Sequence, residues 1–300
     1  MGGQPWMTKK FEVVLFSSTA IALYGYDQGM MSLINTNKSY LQAMQLAESS
    51  TIVGVIVSVY YLGTAVGAVI ASAIADKYGR KPSIFACLAT CVLGNGIMFV
   101  AGLKGIGEAD SGSWGGWAIW TMLVGRVVLG LGVGGIDAVI PVYSAELSSD
   151  GGRGKALAQE FQMNIFGLLM AYGINLGLTV GLGKQNQWAW RIPIIVMQIF
   201  PILLLSFITR LPESPRWALM QEREDDAEDA MKEIYGEDEY EDKFKELKKT
   251  NEEESDKNIA YKDMLSSEGK QFHPTVVTIM AQVNQALTVS HPLPLSNHKF

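Results

Sequence analysis

Long runs of apolar residues with no polar face dominate the first two thirds of the chain. A helix needs about 20 mainly apolar residues to cross a bilayer, whereas a surface helix of a soluble domain carries only one apolar stripe. The pattern therefore predicts an all-α membrane protein with six spans joined by short polar loops. The predicted spans cover approximately residues 12–34, 50–75, 83–103, 117–143, 157–182 and 192–209.

The pattern changes after the sixth run, where residues 221–270 hold nineteen acidic and nine basic residues. The whole chain has a net charge of −6, so the rest of it carries a small positive excess. Fragments such as AEDAMKEIYG in the charged segment are amphipathic and predict short surface helices. A disordered acidic linker is the alternative that the same composition allows.

These changes divide the chain into five regions. We expect a cytoplasmic N-terminus, a six-span bundle, a charged cytoplasmic segment with short helices, a partial seventh span and an aberrant tail. In chain order they are residues 1–10, 11–211, 212–272, 273–289 and 290–300. The tail is polar, contains two prolines and cannot continue a membrane helix. The sequence therefore predicts a truncated half of a longer protein.

Basic residues in the short loops predict the orientation, because cytoplasmic loops are enriched in Lys and Arg. The richer side carries Lys9, Lys10, Lys77, Arg80, Lys81, Arg153, Lys155, Arg210 and Arg216. The poorer side carries Lys38, Lys104, Lys184 and Arg191, together with the candidate interfacial anchors Trp114, Trp117, Trp120, Trp188 and Trp190. We therefore expect the N-terminus and the charged segment to be cytoplasmic.

Three glycines, Gly130, Gly132 and Gly135, have the G-x-G-x-x-G spacing of a dinucleotide site. Such a site needs a preceding strand, a following helix and an acidic residue about 20 positions further on. Here the glycines lie inside a predicted membrane span, so the dinucleotide interpretation is not favoured. Gly130 and Gly134 instead form a small-xxx-small face, which lets two helix backbones approach closely.

Two charged residues lie inside predicted spans, where an uncompensated charge is costly and usually functional. They are Asp27 in YGYDQG and Arg126 in LVGRVV, and each is the most obvious partner of the other. Such a pair in a cavity of low dielectric constant can hold a proton and release it when the geometry changes. The alternative is a static ion pair that only stabilises the bundle.

The remaining chemistry argues against an enzyme. Cys87 and Cys91 lie four positions apart in an apolar run, and we interpret them as small apolar residues on one helix face. All three histidines lie near the C-terminus. The sequence therefore predicts no catalytic centre, no metal site, no cofactor and no nucleic-acid partner.

Charged motifs at the cytoplasmic ends of the predicted spans form a second group. They are DKYGRK, AELSSDGGRG and RLPESPRW, which begin at Asp76, Ala145 and Arg210. The fork of an arginine can bind a carboxylate through two hydrogen bonds while contacting the C-terminal carbonyls of a helix. Several such pairs on one face could break and re-form as a latch, or they could be loop pairs that only mark topology.

Together, GYDQG, DKYGRK, GRVVLGLGVGGIDAVIPVYSAEL, RGKALA, WRIPIIVMQIFP and PESPRW resemble the sugar porter family of the major facilitator superfamily, in its fungal branch. The resemblance covers residues 11 to about 220. It implies two inverted three-helix repeats with a substrate site near the midplane. It also implies that Asp27 and Arg126 couple transport to protons, and that a cytoplasmic gating network consists of Asp76, Gly79, Arg80, Lys81, Glu146, Arg153, Glu213 and Arg216.

The substrate site departs from the family pattern. The position of a sugar-binding Gln is occupied by Phe161, with Gln162 beside it, and the seventh span would add Gln282 and Gln285. The resemblance thus implies transport of a sugar or polyol by alternating access, coupled to protons, in a plasma-membrane protein. A missing C-terminal half or a second copy of the chain would complete the site. A sensor-like or truncated product that does not transport is the alternative.

Overall fold

Helices make up the described structure, a computed structural model that covers residues 9–47, 51–103, 116–147, 153–183, 185–236 and 240–255, with residues 273, 276–280 and 283. No strand occurs among these residues. The chain divides into two units, residues 1–245 and 246–300. Of the predicted seventh span, the few described residues, 276–280 among them, are helical.

Six long helices account for the first unit, together with shorter ones. The long helices are α1 (Lys9–Ile34), α3 (Thr51–Tyr78), α4 (Arg80–Val100), α5 (Trp117–Leu147), α6 (Arg153–Leu182) and α7 (Trp188–Phe207). Its short helices are α2 (Lys38–Ala43), α8 (Pro215–Met220) and α9 (Glu224–Tyr235), and a 3-10 turn (Ile208–Arg210) follows α7. Helix α10 (Tyr240–Ser255) begins in this unit and ends in the second. The all-helical membrane fold predicted from the apolar runs is confirmed.

Five of the long helices are apolar and long enough to cross a membrane, namely α3, α4, α5, residues 157–182 of α6 and residues 188–210. The first predicted span, now α1, is long enough but falls outside this group. It carries polar residues that the bundle buries, among them Ser17, Ser18 and Asp27. These residues lower its hydropathy without exposing polar groups to lipid.

The centre of the bundle is α5, whose span is 67% buried, compared with 17% for α6. Its glycines allow this burial on two sides. A Cβ on Gly134 would overlap the backbone of Thr64 in α3, and one on Gly130 would lie 2.5 Å from the Tyr60 carbonyl oxygen. The small-xxx-small spacing predicts a close approach of two helix backbones, and the structure shows that the partner of α5 is α3.

The other two glycines of the motif face α4. A Cβ on Gly132 would lie 2.6 Å from the Sγ atom of Cys91, and one on Gly135 would overlap the Sγ atom of Cys87. Both thiols are free and buried. The two cysteines are therefore small residues on one face of α4, packed against glycines.

Polar groups join α4 to α7 inside the bundle. Asn95 donates to the Ile194 carbonyl oxygen at 2.9 Å and to Oε1 of Gln198 at 2.7 Å. Gln198 in turn donates to the Val92 carbonyl oxygen at 3.3 Å. These bonds replace those that water would make, and they fix the register of the two helices.

Two residues at the start of α7 are buried, although the sequence pattern placed Arg191 in a loop and Trp190 at the membrane interface. Arg191 is 2% exposed and donates to the carbonyl oxygens of Phe99 and Ala101, at the C-terminal end of α4. Trp190 is fully buried beneath it and is not an interfacial anchor. The free carbonyls at a helix end attract a cation, which explains why Arg191 lies inside the fold. The predicted anchors Trp117, Trp120 and Trp188 are at least half exposed.

The charged segment forms the predicted surface helices, and the linker alternative is wrong for its described part. Ser214 caps α8 by accepting a hydrogen bond from the Trp217 N–H group. One face of α9 is buried through Ala227, Ala230, Met231 and Ile234. Lys9 at the start of α1 pairs with Glu233 of α9 at 3.1 Å and donates to the Arg210 carbonyl oxygen. The start of α1, the end of α7 and α9 therefore meet on one face of the bundle.

Candidate functional site

A buried ion pair lies at the centre of the bundle. Asp27 on α1 accepts a hydrogen bond from Nη1 of Arg126 on α5, at 2.8 Å through Oδ1. The two side chains are 0% and 2% exposed, respectively. A charge at this depth is tolerated when a partner of opposite sign compensates for lost hydration, so each residue requires the other.

Tyr60 of α3 completes the surroundings of the pair. The Arg126 guanidinium lies over the Tyr60 ring, 4.1 Å from its centroid. Three polar atoms around the pair form no hydrogen bond of ordinary geometry among the described residues. They are Oδ2 of Asp27, Nε of Arg126 and the hydroxyl oxygen of Tyr60. The pair thus keeps a free acceptor on the carboxylate, where a proton or a water molecule could bind.

A second site lies at the cytoplasmic ends predicted from the loops. Arg80, the first residue of α4, binds Glu146 of α5 through two hydrogen bonds of 3.0 and 2.9 Å. Both side chains are below one tenth exposed. Arg80 also contacts the more exposed Asp76 at 3.2 Å and donates to the Ala75 carbonyl oxygen. A bidentate arginine pair of this kind is both strong and directional.

Glu213 binds the same turn from the segment after α7. Its carboxylate accepts from the N–H groups of Arg80 and Lys81 at 3.0 to 3.3 Å, at the N-terminus of α4. A negative group is favoured there because the first N–H groups of a helix have no other partner. Burial raises the pKa of Glu213, and the backbone hydrogen bonds from Ser214, Lys81 and Arg80 oppose that shift.

Gly79 makes this contact possible. Its φ of 109° is rarely adopted by other residues, and a Cβ there would lie 2.7 Å from Oε2 of Glu213. Trp217 adds a hydrogen bond from its indole Nε1 to the Asp76 carbonyl oxygen at 3.0 Å. The loop between α3 and α4 is therefore bound both to α5 and to the segment that follows α7.

A cavity of about 530 Å³ opens beside this network. Arg80, Glu146 and Arg216 contribute its polar groups, and Pro141, Val142, Ala145, Leu157 and Met220 contribute its apolar walls. The structure thus brings together seven of the eight predicted network residues at one end of the bundle. Arg153 begins α6, and the structure does not describe its side chain.

Two of the four predicted substrate residues, Phe161 and Gln162, lie in the described part of the chain. Phe161 is 67% exposed and Gln162 beside it is exposed, both on the sparsely buried helix α6. Gln282 and Gln285 lie outside the described residues.

Sequence reasoning missed Glu160, a carboxylate on α6 that is 2% exposed. Neither of its oxygens forms a hydrogen bond of ordinary geometry within the described part of the chain, although the Ser144 hydroxyl lies close enough to interact. The rule that selected Asp27, a charge inside an apolar span, applies equally to Glu160. Tyr60 gave no such signal, because an aromatic residue in an apolar helix is ordinary.

These features define an all-helical integral membrane protein with the fold of the major facilitator superfamily. The xylose transporter XylE from E. coli, in a partially occluded inward open conformation, superposes with a TM-score of 0.70 at 22% sequence identity, over 82% of this chain and 60% of that one. Residues 13–290 match the family described as "Sugar (and other) transporter", and the chain belongs to it. It belongs to a family of transporters and not of enzymes, as the sequence predicts.

Two curated relatives from Saccharomyces cerevisiae resemble the chain over most of its length. It is 29% identical to the sugar transporter STL1 over 226 residues, which is 73% of the chain and 37% of the relative. It is 31% identical to the high glucose sensor RGT2 over 215 residues, which is 70% of the chain and 26% of the relative. The chain therefore spans well under half the length of these relatives.

Proposed function

We propose that this chain is the N-terminal half of a transporter that moves a sugar or related polyol by alternating access and couples the movement to protons. The observation that carries the proposal is the buried pair of Asp27 and Arg126 inside a bundle of the sugar transporter family. The named activities of the transporters STL1 and XylE support the substrate class.

The pair suggests how a proton would act. Oδ2 of Asp27 has no hydrogen-bond partner among the described residues, so it offers an acceptor site for a proton. Protonation would remove the carboxylate charge and weaken its attraction for Arg126. The freed guanidinium would then need another partner, and this need would favour a second arrangement of α1 against α5. Proton uptake and a change of conformation would be linked in this way.

The cytoplasmic network suggests what holds one of the two conformations. Arg80 joins the α3–α4 loop to α5, and Glu213 joins the same loop to the segment after α7. We propose that these contacts, with Asp76, Gly79, Lys81, Arg153 and Arg216, form and break as the cytoplasmic side closes and opens. The opposing surface would come from a C-terminal half or from a second copy of the chain.

Uptake by a full-length form tests the proposed activity. We expect residues 1–272, joined to the C-terminal part of STL1, to give saturable uptake of labelled xylose, glucose or inositol in proteoliposomes. The proposed substrate contacts are Phe161, Gln162, Gln282 and Gln285. A second fusion, which extends to residue 289 of this chain, includes all four. The 300-residue chain alone is the control and should give no saturable uptake, since half of the site would be absent. Failure of every fusion to transport any of these solutes would contradict the proposal.

The orientation is a further part of the proposal. Contacts of Lys9 with α9 and with the end of α7 place these three segments on one side of the bundle. We propose from the basic loops that this side faces the cytoplasm, and we further propose that the membrane is the plasma membrane. We expect a cysteine introduced at Ser255 to resist an impermeant thiol reagent in intact cells and one at Ser111 to react. Labelling of Ser255→Cys from outside would reverse the assignment.

A sensor is the second candidate function, and the likeness to RGT2 favours it. A sensor would bind the sugar and change conformation without moving it across the membrane. Fusions that bind a sugar but show neither uptake nor exchange would support this function.

A further inference from the structure

Tyr60 combines three contacts that the apolar helix α3 would not require for packing alone. Its ring face covers the Arg126 guanidinium at 4.1 Å. Its hydroxyl lies within interaction range of the Asp27 carboxyl group. Its carbonyl oxygen lies in the tight α3–α5 crossing, where a Cβ on Gly130 would be 2.5 Å away.

The crossing explains why the ring reaches Arg126. Gly130 lies one turn after Arg126 on α5, and its missing side chain lets the backbone at Tyr60 approach. Tyr60 is 1% exposed, so its ring and hydroxyl remain inside the bundle. A buried guanidinium is attracted to an aromatic face more strongly than an exposed one, because water does not compete for its charge.

The hydroxyl of Tyr60 lies near Asp27, the other member of the ion pair. It forms no hydrogen bond of ordinary geometry among the described residues, and neither does the Asp27 Oδ2 atom. Because the hydroxyl is in interaction range of the Asp27 carboxyl group, it is placed to donate a hydrogen bond to it. A phenol that donates to a carboxylate stabilises its charged form.

We propose that Tyr60 is a positioning residue for the Asp27–Arg126 pair, holding the guanidinium with its ring and supporting the carboxylate with its hydroxyl. This inference rests on the proposed proton-holding role of Asp27. Tyr60 would thereby set the pH at which Asp27 takes up its proton.

Other titratable groups surround the pair and must be held constant in a test. Those close enough to interact electrostatically with Asp27 or Arg126 are Tyr24 of α1, Tyr40 of α2 and Cys91 of α4. The buried charged groups of α6 and α7, Glu160 and Arg191, show no such coupling to the pair. Substitution of Tyr60 alone leaves all five in place.

Difference infrared spectroscopy of the 300-residue chain in lipid nanodiscs tests the inference without requiring transport. The protonated Asp27 side chain should give a carboxylic acid band that grows as the pH falls and that Asp27→Asn removes. We expect Tyr60→Phe, which keeps the ring, to move the midpoint of this band to higher pH by about one unit, since one hydrogen bond to a charged group is lost. Tyr60→Leu, which also removes the ring face, should give a larger shift.

The neighbouring Tyr61 supplies the matched control, because it lies on the same helix but is 51% exposed. We expect Tyr61→Phe to leave the midpoint unchanged. Equal midpoints for Tyr60→Phe, Tyr61→Phe and the unmodified chain would overturn the role of Tyr60 while leaving proton binding by Asp27 intact. Absence of any band sensitive to Asp27→Asn would overturn both.

Discussion

Replacement of Asp27 by asparagine is expected to abolish proton-driven accumulation of the substrate while exchange of substrate across the membrane continues. Asparagine keeps the size of the side chain and an oxygen that can accept from Arg126, but it cannot take up a proton at the working pH. The 2.8 Å contact with Arg126 can therefore persist in weaker form. Coupling is lost, and the pathway itself is retained.

The measurement compares two assays on a transport-competent fusion in proteoliposomes. An imposed pH gradient should concentrate the solute in the unmodified protein and only equilibrate it in Asp27→Asn, so the accumulation ratio falls to one. Counterflow of labelled solute should remain in both proteins. Asp226→Asn, which removes an exposed carboxylate from α9, serves as the control and should behave as the unmodified protein. Accumulation against a gradient by Asp27→Asn would leave Asp27 as a structural partner of Arg126.

Replacement of Arg80 by alanine should produce the largest loss of stability at the end of the bundle where α3 meets α4. It would leave the Glu146 carboxylate, 8% exposed, without the two hydrogen bonds that now neutralise it. Breaking a buried pair from one side costs about 3–5 kcal/mol, because the remaining charge is uncompensated. Denaturant titration in mixed micelles would measure this decrease in the free energy of unfolding.

A second replacement separates the ion pair from other effects of Arg80. Arg80→Met combined with Glu146→Leu removes both charges at similar volume, and we expect it to recover most of the stability lost in Arg80→Ala. Arg223→Ala breaks a pair with Asp226 in which both side chains are 54% exposed, and it should change the stability by less than about 1 kcal/mol. A double variant no more stable than Arg80→Ala would show that Arg80 acts mainly through Asp76 and the Ala75 carbonyl oxygen.

The physical cost of charge in a membrane made the central pair predictable. Asp27 and Arg126 are polar exceptions in apolar runs, and each needs a partner of opposite sign. Glycine spacing in α5 likewise predicts the close approach to α3, because only a missing side chain permits it. In both cases the residue itself, through its charge or its missing side chain, determines which contact the structure must make.

Other positions could not be inferred, because a helix that is apolar all round does not show which face is inside. Nothing in the sequence separates Tyr60, which covers Arg126, from the exposed Tyr61 beside it. The burial of Arg191 was not predicted for a related reason, since a cation near a helix end is equally compatible with a loop and with a buried cap on α4. Contacts between distant segments decide these cases.

The glycines of α5 also limit which substitutions this protein can tolerate during evolution. At Gly130, Gly132, Gly134 and Gly135 a first side-chain carbon would press on atoms of α3 or α4, and at Gly130, Gly132 and Gly134 these include backbone atoms. A backbone cannot turn aside as a flexible side chain can, so a substitution there would have to displace a whole helix. Gly96 of α4 and Gly173 of α6, where added atoms meet open space, are free of that restriction. Mutations should therefore accumulate on the outer surfaces of the bundle. The contacts of α5 with α3 and α4 should tolerate almost no substitution at these glycines.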